Sequence, residues 1–161
     1  MNDRMNTPLA PRCLRRPWRT TAAGLGLSLA LAATATHAQD VDATGIVQGG
    51  LAAVQLVDRG SLGELWDGAS DGARKKVTRN DFARQVTQAR QPLGAPLQRT
   101  WVAINRHALA NDDGDLAGQY VSVEYETRFA SKPERAAREL VSFHLGRDGT
   151  WRFSGYVLRQ P

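Results

Sequence analysis

General acid–base catalysis is the chemistry that the polar residues of this chain could most readily perform. Tyr125 and Tyr156 could act as proton donors. Glu124 and Glu126 flank Tyr125 in a stretch of alternating polar and apolar residues, so their side chains are expected on the opposite face of a strand. A row of charges of this kind is typical of a solvated sheet surface. We therefore expect no catalytic residues in this chain.

Trp66 and Asp67 are the residues that we predict at a binding surface. An indole beside a carboxylate is typical of a site that is apolar inside and polar at its rim. The competing interpretation is core packing, because large aromatic side chains dominate the burial energy of a small domain. This core role is expected for each of the following residues: Trp66, Trp101, Trp151, Tyr125 and Tyr156.

The acidic loop at 111–115 and the histidines do not predict a metal site. A calcium loop of the EF-hand type that began at position 111 would require Gly and Glu where the chain has Leu116 and Ser122. His107 and His144 lie in different predicted strands, without thiolate ligands or the close spacing of a zinc site. We expect both histidines on the surface.

Nucleophilic catalysis and phosphate binding lack their motifs as well. Gly68-Ala69-Ser70-Asp71-Gly72 matches Gly-x-Ser-x-Gly in its letters, but a predicted short helix precedes it instead of the strand that a nucleophile turn requires. The one cysteine, Cys13, precedes the predicted mature domain. Gly49-Gly50 is not followed by Lys and Ser or Thr, so it does not predict a phosphate-binding loop. The sequence therefore predicts no cofactor.

The first 38 residues are predicted to be a secretory signal peptide. Five arginines and an apolar run at 22–35 precede Thr36-His37-Ala38, a small-x-small cleavage pattern. Ala38 is the predicted last residue removed, which leaves 39–161 as one domain in the periplasm or outside the cell. The apolar run has 14 residues, short of the roughly 18–20 that span a bilayer, so no stable membrane anchor is expected.

The arginines of this leader matter for two predictions: the export route, and the net charge that remains after the leader is removed. Arg15-Arg16 half-resembles a twin-arginine signal, but its flanking residues match that signal poorly, and general secretion is favoured. The whole chain has 21 Lys+Arg and 16 Asp+Glu. Because the leader contains five of the arginines and one of the acids, 16 basic and 15 acidic residues remain. This near-neutral balance gives no indication of nucleic-acid binding.

Apolar residues at helical spacing predict three helices in the first half of the domain. The first spans about 41–59 and ends before Gly60, which suits the left-handed position after a helix. A short second helix follows, with Ser61 and Glu64 as a capping box. The third helix begins at Thr78.

From position 97 onward the apolar period changes to two, which predicts strands. Asp148-Gly149 predicts a hairpin between the last two of them. The order of elements indicates an α+β fold, with N-terminal helices packed on a curved, four-stranded antiparallel sheet. The predicted strands span 101–109, 119–129, 139–145 and 151–159.

Three short motifs stand out along the domain: WDGAS at 66–70, RQPLG at 90–94 and GTWRFSGYV at 149–157. Together they resemble the DUF4019 family of small exported bacterial proteins of unknown function, over nearly all of 43–159. The resemblance implies an NTF2-like or cystatin-like roll, in which a curved sheet wraps helices around a conical cavity. The motif residues are Trp66, Arg90, Pro92, Leu93, Gly94, Trp151, Gly155 and Tyr156.

The resemblance implies export and a cavity, but no activity, because the family has none assigned. By elimination we expect a non-enzymatic periplasmic binding domain for an envelope protein, a peptide or a small apolar ligand. One alternative is an NTF2-like enzyme that, like ketosteroid isomerase, uses a carboxylate and a tyrosine in an apolar cavity. Another is a self-associating structural domain of the envelope, for example a homodimer.

Overall fold

The computed structural model describes residues 42–159 and has the predicted α+β architecture. The predicted signal peptide lies outside the described residues. No helix within 42–159 is both long and apolar enough to cross a membrane. The elements are α1 (Ala43–Asp58), α2 (Leu62–Asp67), α3 (Asp71–Lys76), α4 (Arg79–Arg90), a 3₁₀ turn (Gln91–Leu93), β1 (Pro96–Leu109), β2 (Gly118–Phe129), β3 (Lys132–Leu145) and β4 (Trp151–Arg159).

The helix boundaries follow from local capping, with one difference from the sequence prediction. Thr78 caps α4 as predicted, since its hydroxyl accepts a hydrogen bond from the Asp81 backbone N–H at 3.1 Å. The prediction of a capping box at Ser61 and Glu64 is wrong, because no side chain caps the N-terminus of α2. The backbone N–H of Ser61, which Glu64 would have to reach, already donates to the Leu56 carbonyl at 2.9 Å.

α3 is a helix that the sequence pattern did not predict. Its six residues contain a glycine and three consecutive basic residues, so they show no apolar periodicity. The helix depends instead on its cap: the Ser70 hydroxyl accepts from the Ala73 backbone N–H at 3.4 Å. The predicted third helix is therefore α4, the fourth in the chain.

The four strands form one antiparallel sheet in the order β1-β2-β3-β4, so β1 and β4 are its edges. β1 and β3 begin earlier than predicted, at Pro96 and Lys132. The early part of β3 is polar and shows no alternation, yet it pairs with β2 as far as Lys132. Pairing with a neighbouring strand thus extends both elements beyond their apolar pattern.

The predicted hairpin joins β3 to β4. Gly149 has a φ of 75°, in the left-handed region that favours glycine. The Gly146 backbone N–H donates to the Thr150 carbonyl at 2.9 Å. Asp148 accepts a hydrogen bond from the Thr150 backbone N–H at 3.1 Å, as an Asx turn does.

The core lies between the helices and the centre of the sheet. Tyr125 is 2% exposed, which confirms its predicted core role. Trp66, Trp151 and Tyr156 are half-buried, and the latter two pack against the core at its margin. The most buried apolar side chains are Val54 on α1, Val121 and Val123 on β2, and Val141 on β3.

The core prediction for Trp101 is wrong, because its side chain is 51% exposed. The register pairs Trp101 with Tyr125, and an irregularity in β1 follows between Trp101 and Ala103. Since β1 is an edge strand and most of its residues are exposed, the helices leave this part of the sheet uncovered. Pairing with a buried residue was therefore not enough to bury the indole.

The surface prediction for His144 is also wrong, whereas His107 is exposed as predicted. His144 is 7% exposed, because the Tyr120 ring stacks on it at 4.6 Å and the β1–β2 loop covers it. Its Nε2 lies 2.9 Å from the Ala117 carbonyl oxygen in that loop. Within residues 42–159 no group of three or more potential ligands forms a metal site.

Candidate functional site

A cavity of about 300 Å³ lies between the helices and β4. Its wall is formed by α2, α3 and α4 on one side, by β4 on the other, and by residues that flank the start of β2. Most of the wall is apolar. The apolar side chains are those of Trp66, Ala69, Ala73, Val77, Phe82, Val86, Ala89, Leu116, Phe153 and Leu158.

α4 positions its part of the wall through helical spacing. Phe82, Val86 and Ala89 follow one another at four and three residues, so they share one face of the helix. The Phe82 ring contacts the Phe153 ring edge-on, with centroids 5.6 Å apart. This contact brings the N-terminal half of α4 against β4 at the base of the cavity.

The other side of the cavity is the outer edge of β4. Ala69 forms an isolated parallel bridge with Phe153, and the Ser70 backbone N–H donates to the Phe153 carbonyl at 2.8 Å. The bridge covers only the first part of this edge. At Gly155 an added Cβ would meet nothing within 4 Å.

Three polar side chains line the cavity without a hydrogen-bond or ion-pair partner within residues 42–159: Lys76, Gln85 and Ser154. The other polar groups of the wall are engaged. The Trp66 indole N–H donates to the Val77 carbonyl at 3.2 Å, and the Tyr120 hydroxyl donates to the Leu116 carbonyl at 2.7 Å. An apolar wall with a few free polar groups is the pattern of a small-molecule site.

The structure separates the two residues predicted at the binding surface. Trp66 lines the cavity. Asp67 does not, and its carboxylate accepts two hydrogen bonds from the Arg79 guanidinium, at 3.1 and 3.0 Å. Asp67 therefore links α2 to the start of α4, on a side chain that is 58% exposed.

A second polar cluster, which we call the buried ion network, lies at the C-terminal end of α4. Its charged members come from four elements: Asp58 at the end of α1, Arg90 at the end of α4, Arg99 on β1 and Glu139 on β3. Glu139 is 0% exposed. Such a group is stable in the interior only when it is fully paired.

Each oxygen of Glu139 accepts hydrogen bonds from two donors. Arg90 at 3.2 Å and the Tyr156 hydroxyl at 2.7 Å donate to Oε1, while Arg99 at 2.8 Å and the Thr127 hydroxyl donate to Oε2. A carboxylate has about four acceptor positions, so all are filled. Within the described chain, the buried ion network thus leaves no free lone pair on Glu139 for a ligand.

Asp58 completes the network by bonding to both guanidinium groups. It contacts Arg90, and it accepts from Arg99 at 2.8 and 3.1 Å. Burial alone would lower the pKa of Arg99, but the hydrogen bonds and charges of Asp58 and Glu139 outweigh burial and raise it. The Arg90 guanidinium also lies 4.3 Å from the Phe129 ring centroid, in a cation–π contact.

The two tyrosines considered as proton donors are both hydrogen bonded within the fold. The Tyr125 hydroxyl donates to the Val47 carbonyl at 2.8 Å, and burial raises the pKa of Tyr125 to about 12. Burial, the charge of Glu139 and the hydrogen bond to it raise the pKa of Tyr156 well above its ordinary value. Both phenols are therefore held in the neutral form.

The chain matches a known protein family. The model of DUF4019, described as a protein of unknown function, matches residues 50–156. The chain belongs to the DUF4019 family. Comparison with curated proteins finds no match.

The motif residues of this DUF4019 chain are divided between the cavity and the buried ion network. Trp66 and Gly155 line the cavity, and Arg90 belongs to the network. Tyr156 belongs to both, since its side chain lines the cavity and its hydroxyl bonds to Glu139.

The remaining motif residues of the DUF4019 chain have packing or turn positions. Leu93 is 4% exposed and packs with Phe129, while Pro92 is exposed in the 3₁₀ turn. Gly94 has a φ of 73°, which ends that turn. Trp151 packs against the main core at its margin.

Sequence reasoning did not find the other charged members of the buried ion network: Asp58, Arg99 and Glu139. One signal was available. Glu139 occupies an inward position in β3, two residues from Ala137 and two from Val141, both of which are buried. A carboxylate at an inward strand position indicates a buried partner.

Proposed function

We propose that this DUF4019 protein is an exported, non-catalytic binding domain that holds an apolar ligand in the cavity between α4 and β4. The observation that carries the proposal is the apolar wall of a cavity of about 300 Å³. This volume lies at the lower end of the range of about 300–1,000 Å³ that is typical of small-molecule sites.

The contrast with the buried ion network supports this location. All four acceptor positions of Glu139 are occupied by donors from the protein. At the cavity, Lys76, Gln85 and Ser154 have no partner within residues 42–159. Free polar groups beside an apolar wall are available to orient a ligand, whereas saturated ones are not.

Export is part of the same proposal and is supported by the sequence of the leader. The basic segment, the apolar run and the small-x-small pattern up to Ala38 follow the order of a secretory signal. N-terminal sequencing of the protein recovered from the envelope fraction should begin at Gln39. Recovery of the apolar run with the exported protein would contradict this part.

Filling the cavity tests the binding proposal directly. Ala89 lies on the cavity face of α4, and Ala89→Leu keeps a strong helix former while it adds apolar volume to the wall. Gln88→Leu is the matched control, because Gln88 is the exposed neighbour and does not line the cavity. The probe is 1-octanol, with binding measured by titration calorimetry.

We expect Ala89→Leu to weaken 1-octanol binding by about tenfold, a change of about 1.4 kcal/mol. Gln88→Leu should change it by less than about twofold. Equal binding to both variants and to the parent protein would place the ligand elsewhere. Absence of 1-octanol binding to the parent protein would overturn the proposal.

Self-association is a second candidate function, and a different surface favours it. The edge strand β1 exposes several apolar side chains: Leu97 (61%), Trp101 (51%), Val102 (38%) and Leu109 (43%). Exposed apolar groups on an open strand edge are a common basis for pairing between chains. Sedimentation of the purified protein at several concentrations distinguishes a monomer from a dimer.

A further inference from the structure

The charged residues on the wall of the cavity indicate which charge an apolar ligand should have. Lys76 is the one charged residue on the described wall of the cavity, and no aspartate or glutamate lines it. A single cation without a neighbouring acid favours a ligand with one negative charge.

Lys76 differs in this respect from the two basic residues that precede it on α3. Arg74 pairs with Asp71 at 2.6 Å, and Lys75 bonds to Asp115 in the β1–β2 loop. Lys76 has no ion-pair partner within residues 42–159. Of the three consecutive cations, Lys76 is therefore the one that faces the cavity and remains available to an anion.

We infer that the ligand is an apolar chain ending in a carboxylate, with Lys76 as its counter-ion. This inference rests on the function proposed above. The Gln85 amide and the Ser154 hydroxyl are donors on the same wall and have no partner within the described chain. Both are therefore available, like Lys76, to an anionic group bound in the cavity.

The volume of the cavity indicates the size of a suitable probe. At roughly 30 Å³ for each atom of water size, about 300 Å³ holds about ten non-hydrogen atoms. Octanoate has this size, and 1-octanol is nearly the same molecule without the negative charge. A phosphate head group is a poorer match, because it is typically bound by arginine forks or several cations.

The experiment compares octanoate with 1-octanol on the purified protein at neutral pH. Lys76→Met removes the charge and keeps an apolar stem. Lys132→Met is the matched control, because Lys132 is an exposed lysine at the start of β3 that does not line the cavity. Circular dichroism verifies that each variant is folded.

We expect Lys76→Met to weaken octanoate binding by about fivefold, in the range of an exposed ion pair. It should change 1-octanol binding by less than about twofold, and Lys132→Met should affect neither ligand. Lys76→Arg, which keeps the charge, should retain octanoate binding. Raising the salt concentration from about 50 mM to about 500 mM should weaken octanoate binding to the parent protein and to Lys132→Met, but not to Lys76→Met.

The outcomes separate this inference from the proposed function. If 1-octanol binds and Lys76→Met leaves octanoate binding unchanged, the carboxylate inference is overturned while the apolar site stands. The same holds if Lys76→Met weakens both ligands equally. If neither ligand binds the parent protein, both the inference and the proposed function are overturned.

Discussion

α4 contributes side chains to two different environments. Phe82, Val86 and Ala89 line an apolar cavity, whereas Arg90, the last residue of the helix, enters the buried ion network. In the network, every charged member bonds to two oppositely charged side chains. At the cavity, Lys76 has no partner within residues 42–159.

This difference indicates which polar groups stabilise the fold and which are available for binding. A buried charge without partners costs several kcal/mol, so a closed set of four ions has a structural role. An exposed lysine at the rim of a cavity carries no such penalty and keeps its charge for a ligand. The number of charged residues alone would have indicated the buried ion network, not the cavity, as the binding site.

The largest expected effect is that of removing the central carboxylate of the buried ion network. Glu139→Gln would leave Arg90 and Arg99 without one of their anions in the interior. We expect a loss of about 3–5 kcal/mol in the free energy of unfolding, measured by urea titration. Glu126→Gln on the neighbouring strand is the control, because its partner Arg138 is 3.5 Å away and its side chain is 41% exposed. The control should cost less than about 1 kcal/mol.

A small effect of Glu139→Gln would contradict the contrast between the cavity and the buried ion network. If the loss were similar to that of Glu126→Gln, the buried ion network would contribute no more than a surface pair. Its residues would then have to be reconsidered as a possible binding site.

Tyr156 is the residue at which the cavity and the buried ion network meet, and it predicts a pH dependence. Burial has the largest effect in raising its pKa, and the charge of Glu139 and the hydrogen bond to it raise it further. A raised pKa in the folded state stabilises the protein below the unfolded value of about 10, and this contribution is lost as the pH rises further. We expect Tyr156→Phe to make the alkaline loss of stability shallower by about 1.4 kcal/mol per pH unit. At neutral pH the same variant should cost about 1.5–3 kcal/mol, because Glu139 loses a donor.

Urea titrations from about pH 8 to about pH 11 measure this slope. The decline should begin near pH 10, where the tyrosines of the unfolded chain ionise. An unchanged slope in Tyr156→Phe would show that neither burial nor Glu139 raises the pKa of Tyr156 in the folded protein.

Substitutions at Trp66 and Asp67 should have smaller effects on stability, and only the one at Trp66 should weaken ligand binding. Trp66→Phe removes the hydrogen bond to the Val77 carbonyl, and we expect a loss of about 1 kcal/mol together with weaker 1-octanol binding. Asp67→Asn weakens only the exposed pair with Arg79, so the loss should be below about 1 kcal/mol with unchanged binding. Unfolding curves and calorimetric titrations of both variants provide the two readouts. Equal loss of binding in both variants would show that Asp67 also contributes to ligand binding.

The smallest effect is expected at Trp101. Its side chain is 51% exposed, so Trp101→Ser should change the free energy of unfolding by less than about 0.5 kcal/mol. If the protein is a dimer through β1, the same substitution should shift the mass measured by sedimentation toward the monomer. A large loss of stability in a monomeric protein would contradict the exposed position of the indole.

Sequence patterns predicted the elements of the fold better than the residues of the candidate site. The alternation in β2, the cap at Thr78 and the turn at Asp148-Gly149 are all local signals, and the structure confirms each of them. Trp66 lines the cavity, while its role at a binding surface stays a prediction. Lys76 was not predicted, because α3 has no apolar periodicity that would have placed it on a helix face.

The sequence by itself determined the family, three of the four helices within residues 42–159, the order of the four strands and which face of β2 turns inward. These properties depend on neighbours within a few residues, where spacing and turn chemistry act directly. The tertiary structure alone decided that Arg99 meets Glu139 and Asp58, that Trp101 remains exposed and that His144 is covered. Burial and charge pairing depend on elements that are distant in the sequence, so periodicity predicts the direction of a side chain but not what covers it.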